Sequence, residues 1–430
     1  MRRGFVAVTM AAVLGLTAAC GGTHTAGAAG AGTGGTTAVD PAPVVKITPV
    51  NGSRSARPDQ GVTITATGGT LQDVTVKAKG TDVPGTLSAD KTSWKSSWTL
   101  TPGGSYQVSA SAIGSKGKTT TATSAFRAVT GTAATSIVQI LPNKGETVGI
   151  GMPIMVQFNQ EIPAKAQAAV EKSFEIISDQ PTEGAWRWVT AGYSFNGLPS
   201  AIFRPKTPWK ANQKVTVIVH YAGVRVGAGV YGQADITHNF RIGDAHTITV
   251  NNSTHQLVVR KNGKVIRSWG VSLGTGGDVQ SDGVDHLLTT SGVHLTMDKE
   301  NPAHMVSPGK KPGDPGYYKE DVPWATRISN SGEYIHQSVG QLACLGVQNC
   351  SHGCVRSPAA AAQWFYGWSY RGDMVTITGT RRQLDWSNGW GYWQMSFNKW
   401  MKGSALNQSI TTTARTAPTL TPTPTATATP

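Results

Sequence analysis

Charge, cysteine and long apolar runs are all scarce in this sequence, and each shortage narrows the possibilities. Charged residues make up 14% of 430 positions, while glycine alone accounts for 51. With Thr and Ser also abundant, that balance argues against a helical protein and for mainly β structure. No stretch reaches the roughly 18 apolar residues of a membrane-spanning helix. The net charge of +14 comes from dispersed Lys and Arg, with no basic helix and no aromatic RNA-binding motif, so a nucleic-acid partner is not indicated. Anionic wall polymers and lipid head groups suit the charge. There are four cysteines: Cys20, Cys344, Cys350 and Cys354.

What is present begins with an export signal. Arg2 and Arg3 precede an apolar stretch from Phe5 to Leu16, then Thr17-Ala18-Ala19-Cys20. Residues 1–20 read as a lipoprotein-type signal peptide, with Cys20 lipidated and the chain held on the outer face of the cell membrane; plain signal cleavage is the alternative. Residues 21–42 are Gly, Ala and Thr, a flexible tether. Strand-like runs separated by Gly, Pro and Asp follow at sandwich spacing. They give two immunoglobulin-like units, 43–130 and 136–243, with a short helix over 164–173 in the second. Trp94 and Trp98 are expected to fill the first core.

A third unit spans 244–380. It opens on a meander whose Asn262-Gly263 is a hairpin turn. A Pro- and Gly-rich stretch over 297–321 has the length and composition of a lid. A helix is expected over 357–370, with Ser357 as N-cap and Pro358 as first helical residue. Residues 381–407 carry Trp386, Trp390, Trp393 and Trp400, expected to pack back onto this unit. Residues 408–430, rich in Thr and Pro, are expected to be disordered.

The chemistry concentrates in Ser351-His352-Gly353-Cys354-Val355-Arg356, with His336 upstream. An unperturbed thiol of pKa about 8.5 is only a few per cent thiolate at neutral pH. A neighbouring imidazole can take its proton and hold the charged pair. Glycine beside the nucleophile leaves backbone open, so the N–H groups of Gly353 and Cys354, with that of His352, can form an oxyanion hole. A zinc site from the His and Cys residues lacks the usual ligand spacing, so neither metal nor cofactor is expected. With Cys20 lipidated, three cysteines remain, an odd number that leaves one thiol free. We expect Cys344 and Cys350 to pair and Cys354 to stay free, with a Cys350–Cys354 pair as the competing, blocking arrangement.

These residues resemble the L,D-transpeptidase family (YkuD-type catalytic domain), whose pattern is a His followed by Ser/Thr-His-Gly-Cys. The order of two immunoglobulin-like domains, a β-rich catalytic domain with a short helix after the nucleophile, and a Trp-rich C-terminal segment is similar to the mycobacterial-type lipoproteins of that family. The resemblance implies Cys354 as nucleophile and His336 as base, with its second ring nitrogen on the Gln337 carbonyl. His352 and Gly353 belong to the catalytic loop. Tyr318 and Met297 match lid and pocket positions against the stem peptide, and Gln337 and Ser351, beside the catalytic pair, are expected to contact substrate with them. Arg356 stands where the nearest subgroup has Asn; it either grips a substrate carboxylate or anchors the helix start. The implied partners are peptidoglycan stem peptides, a donor tetrapeptide and an acceptor amine, with carbapenem-type β-lactams as acylating inhibitors. Hydrolysis by an L,D-carboxypeptidase and a non-catalytic wall-binding role are the alternatives.

Overall fold

The computed structural model describes residues 41–307, 309–314 and 317–415. The signal sequence, Cys20, most of the tether and the chain after 415 lie outside the described residues. No described helix is long and apolar enough to cross a membrane.

The first unit is a sandwich of two four-stranded sheets. One runs in the order Val44–Thr48, Thr63–Thr67, Ser93–Ser96, Gly85–Leu87. The other runs Thr81–Asp82, Gly69–Ala78, Ser105–Gly114, Thr119–Arg127. Alternate residues such as Ile64, Val76, Val108 and Phe126 point inward, as the two-residue strand period requires. Gly85 is needed here, because a Cβ would lie 1.9 Å from the Trp94 ring. Trp94 fills the core, but Trp98 does not. Its ring stacks on His220 of the next unit at 3.6 Å, and Thr99 Oγ1 donates to the Ala222 carbonyl.

The second unit packs two five-stranded sheets, and each takes its edge strand from the far end of the chain. Ile410–Thr411 joins Glu183–Val189, and Thr413–Ala414 joins Phe174–Ser178. The disordered tail expected from 408 therefore does not hold for residues 408–415. Its Thr residues pair on open sheet edges, which composition alone does not reveal. The Trp-rich segment is also placed differently from expectation. Trp390, Tyr392, Met395 and Trp400 belong to the core of this second unit rather than only to the catalytic one, and Leu295 and Met297 join them there. Trp400 Nε1 donates to the Ala185 carbonyl and Trp393 Nε1 to that of Gly151. The Arg204 guanidinium lies over both rings. Gln394 Nε2, donating to the Val293 carbonyl, ties the same segment to the catalytic unit.

In the third unit, Asn262 and Gly263 both have positive φ, the geometry of a tight hairpin, and join Gln256–Lys261 to Lys264–Gly270. This meander lies in a five-stranded sheet that also holds Met374–Thr378 and Gly292–Leu295. A second sheet, Lys299–Glu300, Ala325–Arg327, Tyr334–Gln337, Val355–Ser357, carries the chemistry. The expected lid is largely a hairpin, with Ala303–Val306 paired to Lys319–Val322. The helix runs Ala359–Trp368 with Pro358 as its N-cap; Ser357 lies in the preceding strand, opposite Gln337, and does not cap it.

Candidate active site

Two parallel strands bring the reactive groups together. Tyr334–Gln337 and Val355–Ser357 pair with Ile335 opposite Val355 and His336 opposite Arg356. Cys354, immediately before the second strand, therefore sits level with Tyr334 and packs against the cluster of Tyr334, Ala303 and Ala325. Eighteen positions of sequence reduce to one strand spacing.

The His336 ring is buried, and its Nδ1 lies 2.6 Å from the Gln337 carbonyl. A carbonyl only accepts, so Nδ1 carries the proton and Nε2 presents its lone pair. Burial, with Arg356 adding, pushes the imidazole down to about 4, and the Gln337 bond only partly opposes this. Burial pushes the Cys354 thiol up to about 12. The thiol donates to the Gly332 carbonyl at 3.5 Å. The resting pair is thus neutral thiol and neutral imidazole, not the charged pair that sequence reasoning anticipates. A dry site favours the uncharged forms.

The turn before the nucleophile is clamped from inside. Ser351 Oγ donates to the Cys354 carbonyl at 2.6 Å and accepts the Gly353 N–H at 3.1 Å. Thr289 Oγ1 donates to the Gly353 carbonyl at 2.7 Å. Gly353 has φ +128°, a backbone state that side chains resist. Two expectations change accordingly. The Ser351 hydroxyl is already engaged in shaping the turn rather than free for substrate, and the Gly353 N–H is engaged with it rather than open to an oxyanion.

A cavity of about 420 Å³ opens onto this turn. Cys354, His336, His352, Gly353, Ser351, Tyr318 and Arg356 all line it. The His352 and Tyr318 rings stack at 4.8 Å and 8°. Burial pushes the Tyr318 phenol up to about 12 and, with Arg356, holds the His352 imidazole below its ordinary value. Arg356 is buried and hydrogen-bonds Gln341 Oε1. Gln337 takes part through its carbonyl.

Met297 is not in the cavity. Its side chain is 1% exposed, in the core shared with Trp390 and Tyr392. The methionine that does line the wall is Met305, on the hairpin; like Cys354, it packs against the cluster of Ala303, Ala325 and Tyr334. Both lie in the same Pro-rich stretch, and only the strand pairing tells them apart. Glu333 was also illegible in sequence. It is buried, lines the cavity, and accepts from the Thr290 N–H at 2.6 Å, with His294 Nε2 at 3.7 Å. Burial would raise its pKa, but the bonds from His294 and Thr290 outweigh this and leave it below the ordinary carboxylate range. It anchors the turn that presents the Gly332 carbonyl.

Cys344 and Cys350 form a disulfide, and Cys354 is free. The disulfide loop is tied to the sheet by Cys350 N–H on Ser272 Oγ and Leu273 N–H on Asn349 Oδ1. Among the described residues, no three His, Cys, Asp or Glu side chains converge as metal ligands would.

The chain also matches known proteins in sequence. Residues 245–377 match the model of the L,D-transpeptidase catalytic domain, and 53–225 match that of a bacterial Ig domain. The chain is 32% identical over 352 residues to L,D-transpeptidase 2 of Mycobacterium tuberculosis, covering 81% of each. To L,D-transpeptidase 5 of the same species it is 28% identical, over 85% of this chain and 78% of that one. A crystal structure of M. tuberculosis L,D-transpeptidase 3 in complex with a faropenem-derived adduct aligns at 24% identity and TM-score 0.44, covering 57% of this chain and 98% of that one.

Proposed function

This chain belongs to the L,D-transpeptidase family, and from that premise we propose how its site performs the transfer. The observation that carries the mechanism is the fixed tautomer of His336: with Nδ1–H held on Gln337, Nε2 is the base in the cavity that holds Cys354. The donor is a tetrapeptide stem, whose bond between the third-position diamino acid and D-Ala is broken. Sγ attacks the carbonyl while its proton leaves the Gly332 carbonyl for Nε2. Proton transfer accompanies attack because the free charged pair is disfavoured here. The Cys354 N–H, with that of His352, faces the oxyanion. Gln337 steadies the imidazolium as Nδ1–H becomes more acidic.

The imidazolium then protonates the departing D-Ala amine, leaving a thioester. The side-chain amine of a second stem gives its proton to Nε2, attacks the thioester and releases the thiol, forming a third-to-third cross-link. Water in place of the amine would give the tripeptide. Arg356, which lines the cavity, offers its guanidinium to a stem carboxylate.

β-Lactams of the carbapenem type would acylate the same sulfur. Intact-mass measurement after incubation with imipenem tests this: one adduct, mapped to the Cys354 peptide and missing from Cys354→Ala, is expected. An adduct in Cys354→Ala would overturn it. Anchoring at the outer face of the membrane through lipidated Cys20 rests on the sequence of the first twenty residues. Radiolabelled palmitate incorporation that is lost in Cys20→Ala would support it, and no incorporation would refute it.

A further inference from the structure

The first sandwich is strongly basic and carries no catalytic group, yet its outer face is not featureless. Residues 43–130 hold ten Lys and Arg against four Asp and no Glu. On the sheet formed by Gly69–Ala78, Ser105–Gly114 and Thr119–Arg127, the outward positions fall in rows across the strands. Thr75, Ser109 and Thr123 form one row, and Lys77, Gln107 and Ala125 the next. Ser105 and Arg127 continue the pattern. Neighbouring strands are about 4.8 Å apart and successive rows about 7 Å, so the face is a regular grid of hydroxyl, amide and cationic groups.

This grid is recessed. One groove of about 680 Å³ includes Arg54, Lys77, Lys79 and Arg127, and a second of about 360 Å³ includes Thr75, Ser109 and Thr123. They share Lys77, Gln107 and Ala125, so the trough is continuous. Its basic end is assembled deliberately by the backbone. The Gly52 N–H donates to the Ala125 carbonyl and the Arg127 N–H to that of Ser53, which lays the loop along the sheet edge, so that Arg54 lines the same groove as Arg127. Lys77 has Asp82 at 3.0 Å, but among the described residues Arg54, Lys79 and Arg127 have no ion-pair partner. Gathering unpaired like charges on one surface costs self-repulsion, which an anion in the trough would relieve.

We propose that this trough binds the peptidoglycan strand itself, the cations taking stem-peptide carboxylates and the Thr, Ser and Gln rows taking sugar hydroxyls. The choice of polymer rests on the L,D-transpeptidase reading. The face would hold the enzyme on the wall while the catalytic cavity works on a stem some distance away. A small anion would need only the basic end; the polar rows beyond it suit an extended polymer.

The test is cosedimentation of the full chain with purified sacculi, with Cys354 first acylated by imipenem so that the catalytic cavity is filled. Charge reversal at Arg54, Lys79 and Arg127 to Glu should lower the bound fraction at least fivefold. Reversal of Lys46 and Lys95 on the opposite sheet, together with Lys91 in the turn that leads into it, should change it less than twofold. The milder triple substitution to Gln should fall between the two and guards against misfolding, and imipenem acylation should be unchanged in every variant. Binding should survive removal of phosphodiester-linked secondary polymers and be lost when an amidase strips the stems. Equal loss in the two reversed triples, no loss in the first, or loss on removing secondary polymers would overturn the proposal. Failure of imipenem to acylate the parent protein would instead count against the catalytic reading.

Discussion

The Cys354 thiol points its proton at the Gly332 carbonyl, 3.5 Å away, in a turn braced by Glu333. The nucleophile is therefore stored as a thiol. Its partner His336 is stored as a neutral base, with the tautomer chosen by Gln337. Substrate, rather than a standing ion pair, calls for the proton transfer.

With the thiol pushed to about 12 and the imidazole to about 4, no thiolate forms near neutral pH. The thiolate absorbance near 240 nm, taken as wild type minus Cys354→Ala, should stay flat from about pH 5 to 9. A step below pH 7 would show a standing thiolate–imidazolium pair instead.

His336 also sets an acid limit on stability. Its folded pKa lies below the unfolded value of about 6.5, so the unfolded chain takes up the proton first as pH falls. Its contribution is present above about 6.5 and declines towards pH 4. Urea midpoints of the wild type should drop more steeply across that window than those of His336→Gln; parallel slopes would contradict this.

Ser351→Ala removes the hydroxyl that holds both the Cys354 carbonyl and the Gly353 N–H. A loss of about 1–3 kcal/mol in stability is expected, since buried partners are left unmet. Acylation should slow by roughly tenfold or more as the turn loosens, because small misplacements of reacting groups are costly. Unchanged acylation in a folded variant would show that the clamp does not position the sulfur.

The second sandwich is more than a spacer. Trp390, Tyr392 and Trp400 from the C-terminal segment, and Leu295 and Met297 from the catalytic unit, are buried in its core. Deleting residues before 136 should leave acylation intact. Starting at 244 should give an unstable, aggregating protein, and Trp400→Ala in the full chain should cost about 3–5 kcal/mol. A soluble, active fragment beginning at 244 would refute the dependence.

Much of the molecule was legible beforehand, for reasons that differ by level. Strand runs such as Ile154–Phe158 and Gln256–Lys261 announce themselves by composition, and Asn262-Gly263 by turn chemistry. Cys354 and His336 stood out because few other roles suit them. The partition of methionines was hidden, since Met297 and Met305 lie close together in sequence, and only Met305 falls on the hairpin beside the cavity while Met297 joins the core. The tail strands were hidden because Thr411 and Thr413 gain their order from distant edges, not from their neighbours. Glu333 gave no signal either: an acid beside a glycine reads as surface until Thr290 and His294 are seen to enclose it.

The most direct measurement is product analysis with a purified disaccharide-tetrapeptide. D-Ala release together with a cross-linked dimer lacking one D-Ala is expected, both absent with Cys354→Ala. Tripeptide and D-Ala without dimer, or turnover that persists in Cys354→Ala, would contradict it.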